Sequence, residues 1–196
     1  MAKQQLLCDV TLTGVYIVSK AAHNNRDHSA TSETRETRVR VLCLGNELLA
    51  DDSLGLRVAE NVRRFAPQDV EVISTSESGF HLLDYVSDVQ RLIVVDTLAT
   101  GTSSPGTIYA FHDHELKAVP GDSPHYVGLC ETLSLARLLG MPVAEEVIFL
   151  AVEAADCSTL GGEMHPDVGA AIPQITSMVR DMLRQTLVQR MKRRSP

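Results

Sequence analysis

The sequence predicts an α/β domain of three layers: a twisted, mostly parallel sheet with helices on both faces and one antiparallel edge strand. Three observations predict it. Short apolar runs alternate with stretches of helical period through residues 38–196, the pattern that gives parallel strands covered on both sides. The run Arg91-Leu-Ile-Val-Val-Asp96 is apolar without alternation, as a strand buried on both faces must be. The chain has 196 residues, 44% hydrophobic and 22% charged, which suits one domain with a full core.

Residues 1–37 are expected to be a flexible extension, with Leu6 to Val18 able to form a short strand or hairpin. Ala21 to Thr37 is polar and charged with almost no large apolar side chain, too little surface to order itself. The organised domain, 38–196, begins with the buried strand Val39 to Leu44, ended by the turn residues Gly45-Asn46. Ser53 is placed to cap a helix whose apolar face is Leu54, Leu56, Val58, Ala59 and Val62. Val70 to Ser74 is the second strand, Gly79 to Val86 a short helix, and Arg91 to Asp96 the third strand. After the turn Pro105-Gly106, Thr107 to Phe111 is the edge or antiparallel strand. Val127 to Leu139 is a helix stopped by Gly140, Val147 to Ala151 the last strand, and about Asp167 to Lys192 a long final helix.

Composition narrows the function. Lysine and arginine total 18 against 25 acids, a net charge of −7, so the chain is not expected to bind nucleic acid. Arg190, Lys192, Arg193 and Arg194 read as a solvated helix end that complements the dipole. No apolar run reaches the roughly 20 residues a membrane-spanning helix needs, so no membrane partner is expected. The cysteines Cys8, Cys43, Cys130 and Cys157 are scattered without CxxC spacing, which suggests neither a zinc knuckle nor a redox motif. With no secretory leader recognisable, the expected compartment is the cytoplasm, and the chain is expected to act as a monomer.

Parallel sheets bind ligands beyond the carboxyl ends of their strands, where the strand order reverses. Asp51 and Asp52 lie in the loop after the first strand, Asp96 ends the third, and His125 precedes a helix at another such connection. One acid there serves as a helix-end anion or a cap. Three acids near one another repel, which favours a bound cation, and carboxylates with an imidazole suit nickel, zinc, iron or manganese. His23, His28, His81, His112, His114 and His165 read as ordinary polar residues. No GxSxG elbow or GxxxxGK phosphate loop is present.

Four blocks then resemble the hydrogenase maturation endopeptidases, in the same order. They are Gly45-Asn46 through Asp51-Asp52-Ser-Leu-Gly55 with Arg57 and Glu60; Gly79 through RLIVVD ending at Asp96; Pro105-Gly106-Thr107; and Ser123-Pro-His125-Tyr-Val-Gly128-Leu. The resemblance runs from about Val39 to the final helix. It implies a protease that removes a C-terminal extension from the large-subunit precursor of nickel-iron hydrogenase after nickel insertion. Asp52, Asp96 and His125 then fall at the metal-contacting positions, and Asp51, Asp52 and Asp96 are the expected catalytic acids. Gly45, Asn46 and Gly79 are expected to bind substrate. The nickel is expected to arrive with the substrate, and no organic cofactor is implied. The chain departs from the family with Cys43 where Gly is frequent, Asp52 where Glu is common, and Thr75-Ser76 where a Gly pair is usual.

Two other classes share this pattern. A receiver-like phosphoacceptor domain also has acids after its first strand and an aspartate ending its third, but it needs a lysine where the last strand here runs into Val152-Glu153. A non-catalytic nickel-binding accessory protein would use the same ligands without cleavage.

Overall fold

The computed structural model describes residues 9–10, 15–17, 38–112 and 124–194; for residues 9–10, 15–17, 124–127, 190, 193 and 194 it describes the backbone alone. Four strands run parallel side by side: β3 (Val39–Leu44), β4 (Val70–Thr75) at one edge, β5 (Arg91–Leu98) and β7 (Glu146–Glu153). β6 (Ile108–His112) runs antiparallel to β7, as expected of the Thr107 to Phe111 segment. Two short strands extend the sheet beyond it: β2 (Val15–Ile17) pairs with β6 and β1 (Asp9–Val10) pairs antiparallel with β2. The sheet order is β1-β2-β6-β7-β5-β3-β4. Residues 18–37, expected to be flexible, lie outside the described residues.

Alternation along each strand sorts the apolar side chains into two cores. On one face Leu42, Leu44, Leu92, Val94, Leu98 and Phe149 pack with Leu82, Val86, Leu129 and Leu133. The last four come from the 3-10 turn Gly79–Leu82, α2 (Leu83–Val86) and α3 (Pro124–Leu138). On the other face Val41, Cys43, Ile93, Val95 and Leu150 pack with α1 (Leu54–Arg63) and α4 (Pro166–Arg194). These are the three layers the sequence predicts. The middle of the central strands is apolar on both faces, and the buried acids Asp51, Asp52 and Asp96 gather at the carboxyl edge.

The chain lays down β3, steps outward to β4, and returns to place β5 on the other side of β3. The order therefore reverses between β3 and β5, which opens a crevice above their carboxyl ends. At the opposite edge, Arg40 on β3 donates to the main-chain oxygens of Tyr85 and Ser87 and pairs with Glu71, holding the end of α2. Arg91 at the start of β5 donates to Thr186 and pairs with Glu146, which ties α4 to the sheet.

Two local expectations are corrected. Asp96 does not end its strand: β5 runs on to Leu98, with Thr97 and Leu98 paired to Val152 and Glu153 of a β7 that is longer than expected. Ser53 makes no side-chain cap. Asp51–Ser53 form a 3-10 turn leading into α1, and the Ser53 hydroxyl donates back to the Ala50 oxygen at 3.0 Å.

Candidate active site at the β3 and β5 crevice

The crevice holds three buried carboxylates: Asp51 is 0% exposed, Asp52 2% and Asp96 3%. Burying an ionised carboxylate costs several kcal/mol unless it is hydrogen-bonded, so the partners of each acid define its task.

Asp51 is engaged entirely with the main chain. Its Oδ2 accepts from the amides of Ala155 and Asp156, both at 2.8 Å, and its Oδ1 accepts from the amide of His165 at 2.6 Å. Its own amide donates to the Asp156 oxygen. Asp51 thus fastens the loop after β7 to the loop after β3. An antiparallel bridge between Leu49 and Leu160 continues that seam. Asp156 makes the next tie: hydrogen bonds from Thr159 and Ser158 hold its carboxyl well below the usual carboxylate range.

Asp52 and Asp96 meet at Thr97. The Thr97 hydroxyl donates to Asp52 Oδ1 at 2.9 Å, and the Thr97 amide donates to Asp96 Oδ1 at 2.8 Å. The Cys157 thiol donates to the same hydroxyl at 3.6 Å. Burial pushes that thiol up to about 12; the bond to Thr97 opposes the shift, and Asp52, Asp51 and Asp96 add to it. This half-buried sulfur feels all three acids.

Gly45 is fixed by the main chain of Asp52. It has φ +153°, and a Cβ there would lie 2.1 Å from the Asp52 main-chain oxygen. The amide of Asn46 donates to that oxygen, while the Asn46 side chain accepts from the Leu48 amide at 3.0 Å. Gly45 and Asn46, expected to bind substrate, thus first shape the turn that carries Asp52.

The other side of the crevice belongs to α3. His125 lies in its first turn; the imidazole is outside the described residues. A Cβ on Gly128 would lie 2.6 Å from the Gly79 amide, and Thr132 donates to the Gly79 oxygen at 2.8 Å. This contact brings the α3 amino end over the sheet face to which Leu92, Val94 and Leu98 contribute. By alternation that is also the face of Asp96. Gly79, the third expected substrate residue, is the seat of that helix. Among the described residues no group of three or more His, Cys, Asp or Glu side chains stands as a metal cluster; Asp52 and Asp96 supply two carboxylates of the expected set.

Thr97, Cys157 and Glu153 were absent from the sequence-based site. A hydroxyl breaking the apolar run after Asp96 is the one signal that could have found Thr97. Glu153 is buried at the end of β7 and accepts from the amides of Thr100 and Gly101 and the hydroxyls of Thr100 and Tyr109. It occupies the position where a receiver domain would need its lysine. Of the remaining histidines, His81 and His112 are exposed, and the His165 ring accepts from the Asp167 amide. His23, His28 and His114 lie outside the described residues.

The family model described as hydrogenase maturation protease matches residues 56–182. The hydrogenase 2 maturation protease of Escherichia coli K12 is 29% identical over 155 residues, covering 76% of this chain and 88% of its own length. The hydrogenase expression/formation protein HupD of Bradyrhizobium diazoefficiens is 31% identical over 142 residues, covering 70% of this chain and 73% of its own. The solved structure of the hydrogenase maturating endopeptidase HybD from E. coli superposes with a TM-score of 0.68 at 28% identity, covering 76% of this chain and 94% of that one.

Proposed function

The chain belongs to the hydrogenase maturation protease family, and from that premise we propose that it removes the C-terminal extension of a nickel-iron hydrogenase large-subunit precursor once nickel is in place. Membership makes it an endopeptidase that processes hydrogenase. The finer reading concerns what the site inspects. Asp52, Asp96 and His125 contact the nickel that the precursor carries, so the metal belongs to the substrate.

One observation carries this reading: Asp52 and Asp96 are both buried at the strand-order reversal and joined through Thr97. Two like charges held together in a desolvated crevice repel, and a divalent cation relieves that repulsion. Carboxylates with an imidazole are a donor set that nickel accepts. A cation at a scissile amide polarises its carbonyl or the attacking water. Precursor lacking nickel would leave the acids in mutual repulsion and the amide unpolarised, which makes the site a checkpoint on metal insertion. Glu153 in place of a lysine, four times hydrogen-bonded, disfavours the receiver reading.

The test is to incubate the purified protein with nickel-loaded and nickel-free precursor and follow release of the extension by mass spectrometry. Cleavage of the loaded form alone is expected, with Asp96→Asn losing at least about 100-fold in rate, the upper range for losing a group that orients the reacting centre. Equal cleavage of both forms removes the checkpoint, and a fully active Asp96→Asn enzyme removes the site.

A further inference from the structure

We infer that Thr97 is the positioning residue of this site, holding Asp52 and Asp96 as one unit through its hydroxyl and its amide. The inference rests on the reading above, in which those two acids contact the substrate's nickel.

Thr97 is 1% exposed and lies within β5, where the ladder to β7 pairs it with Val152; the ladder to β3 ends two residues earlier, at Val95. A β-branched side chain on a strand has few χ1 options, and the direction of its hydroxyl is set by the sheet. In the 2.9 Å contact the single Thr97 hydroxyl hydrogen points at Asp52 Oδ1. The Cys157 thiol, donating to Oγ1 from its other side, fills a lone pair of the same oxygen and leaves that hydrogen to Asp52. The amide of Thr97 meanwhile holds Asp96 Oδ1.

Asp52 arrives on the 3-10 turn of one loop, and Asp96 is a strand residue. Thr97 joins these two elements. One residue of the central strand thus registers both. This is the arrangement by which outer groups orient the inner ligands of a metal, and losing such a partner typically costs about 10- to 100-fold in affinity or activity.

Three variants test it on the full chain with nickel-loaded precursor. Thr97→Val keeps the shape and removes the hydroxyl; kcat/KM is expected to fall about 10- to 100-fold with the thermal midpoint close to the parent's. Thr97→Ser restores the hydroxyl and is expected to restore most of the rate. In an Asp52→Asn background, Thr97→Val is expected to add little to the loss in single-turnover cleavage, because its effect passes through Asp52. A serine variant as impaired as the valine variant, or fully multiplicative losses in the double variant, overturns the assignment. Should the valine variant fold poorly, Thr97→Ala carries the same expectations. If Asp52→Asn and Asp96→Asn are inactive while Thr97→Val has full activity, Thr97 is excluded and the nickel reading stands. Full activity of both acid variants removes the reading itself.

Discussion

Neighbouring residues of one type divide the work of this site by what donates to them. Asp51 and Asp52 share a turn and a depth of burial. Three main-chain amides converge on Asp51, a set that spends its acceptor oxygens on closing a loop. That geometry engages Asp51, one of the expected catalytic acids, in fastening the loops around the crevice. Cys43 shows the opposite environment. On β3, buried against α1 and α4, its thiol is pushed up to about 12 by desolvation, with Arg63 opposing and Asp96 adding. Between the ordinary thiol value of 9.0 and about 12 the unfolded chain has lost a proton that the folded chain keeps. Stability is thus undiminished below the lower value and falls as pH rises through the window. Urea midpoints at pH 8 and pH 10.5 should show this fall in the parent. Cys43→Ala, whatever its constant cost, should show a shallower one, because one of the groups that contribute the effect is gone while Cys157, Tyr85 and Tyr109 remain. Equal slopes would rule the mechanism out.

At the scale of elements, the carboxyl ends of β5 and β7 and the amino end of β6 are clamped by Glu153. It gathers the loop after β5 through Thr100 and Gly101, and β6 through Tyr109. Glu153→Ala leaves these donors without their acceptor and is expected to cost on the order of 3 kcal/mol, the scale of a broken buried charge network. Glu153→Gln, which keeps one carbonyl for the two amides, should cost less. Denaturant unfolding of both variants checks the order; an alanine variant as stable as the parent would mean that water replaces the carboxylate. The strands themselves were legible because apolar runs of this length leave few options. Their ends were not: the polar Thr97 looks like the start of a loop, yet its pairing with Val152 keeps it in β5. The acids that converge were legible from position alone, since strand alternation and the reversal of order put them at one edge. Their partners were not, because the amides that meet Asp51 lie more than 100 positions further along the chain. No local pattern records such a pairing.

The whole molecule depends on its last helix to keep those distant partners in place. His165, one residue before α4, gives its amide to Asp51, so the position of the helix sets one wall of the crevice. The helix is held by Val168, Ala171, Ile175, Val179 and Leu183, which complete the core shared with α1 and the sheet. Beyond Thr186 the described side chains change character, with Val188 and Met191 both exposed. Ending the chain after Gln189 should therefore leave stability within about 1 kcal/mol of the parent, the range for surface changes. Ending it after Gln174 removes Ile175, Val179 and Leu183. At about 1.5–3 kcal/mol for each buried side chain, that loss rivals the roughly 5–15 kcal/mol by which a domain is stable. The shorter chain should not fold, and circular dichroism with thermal melting separates the two cases. A folded but inactive shorter chain would show instead that α4 serves the crevice without being needed for the core.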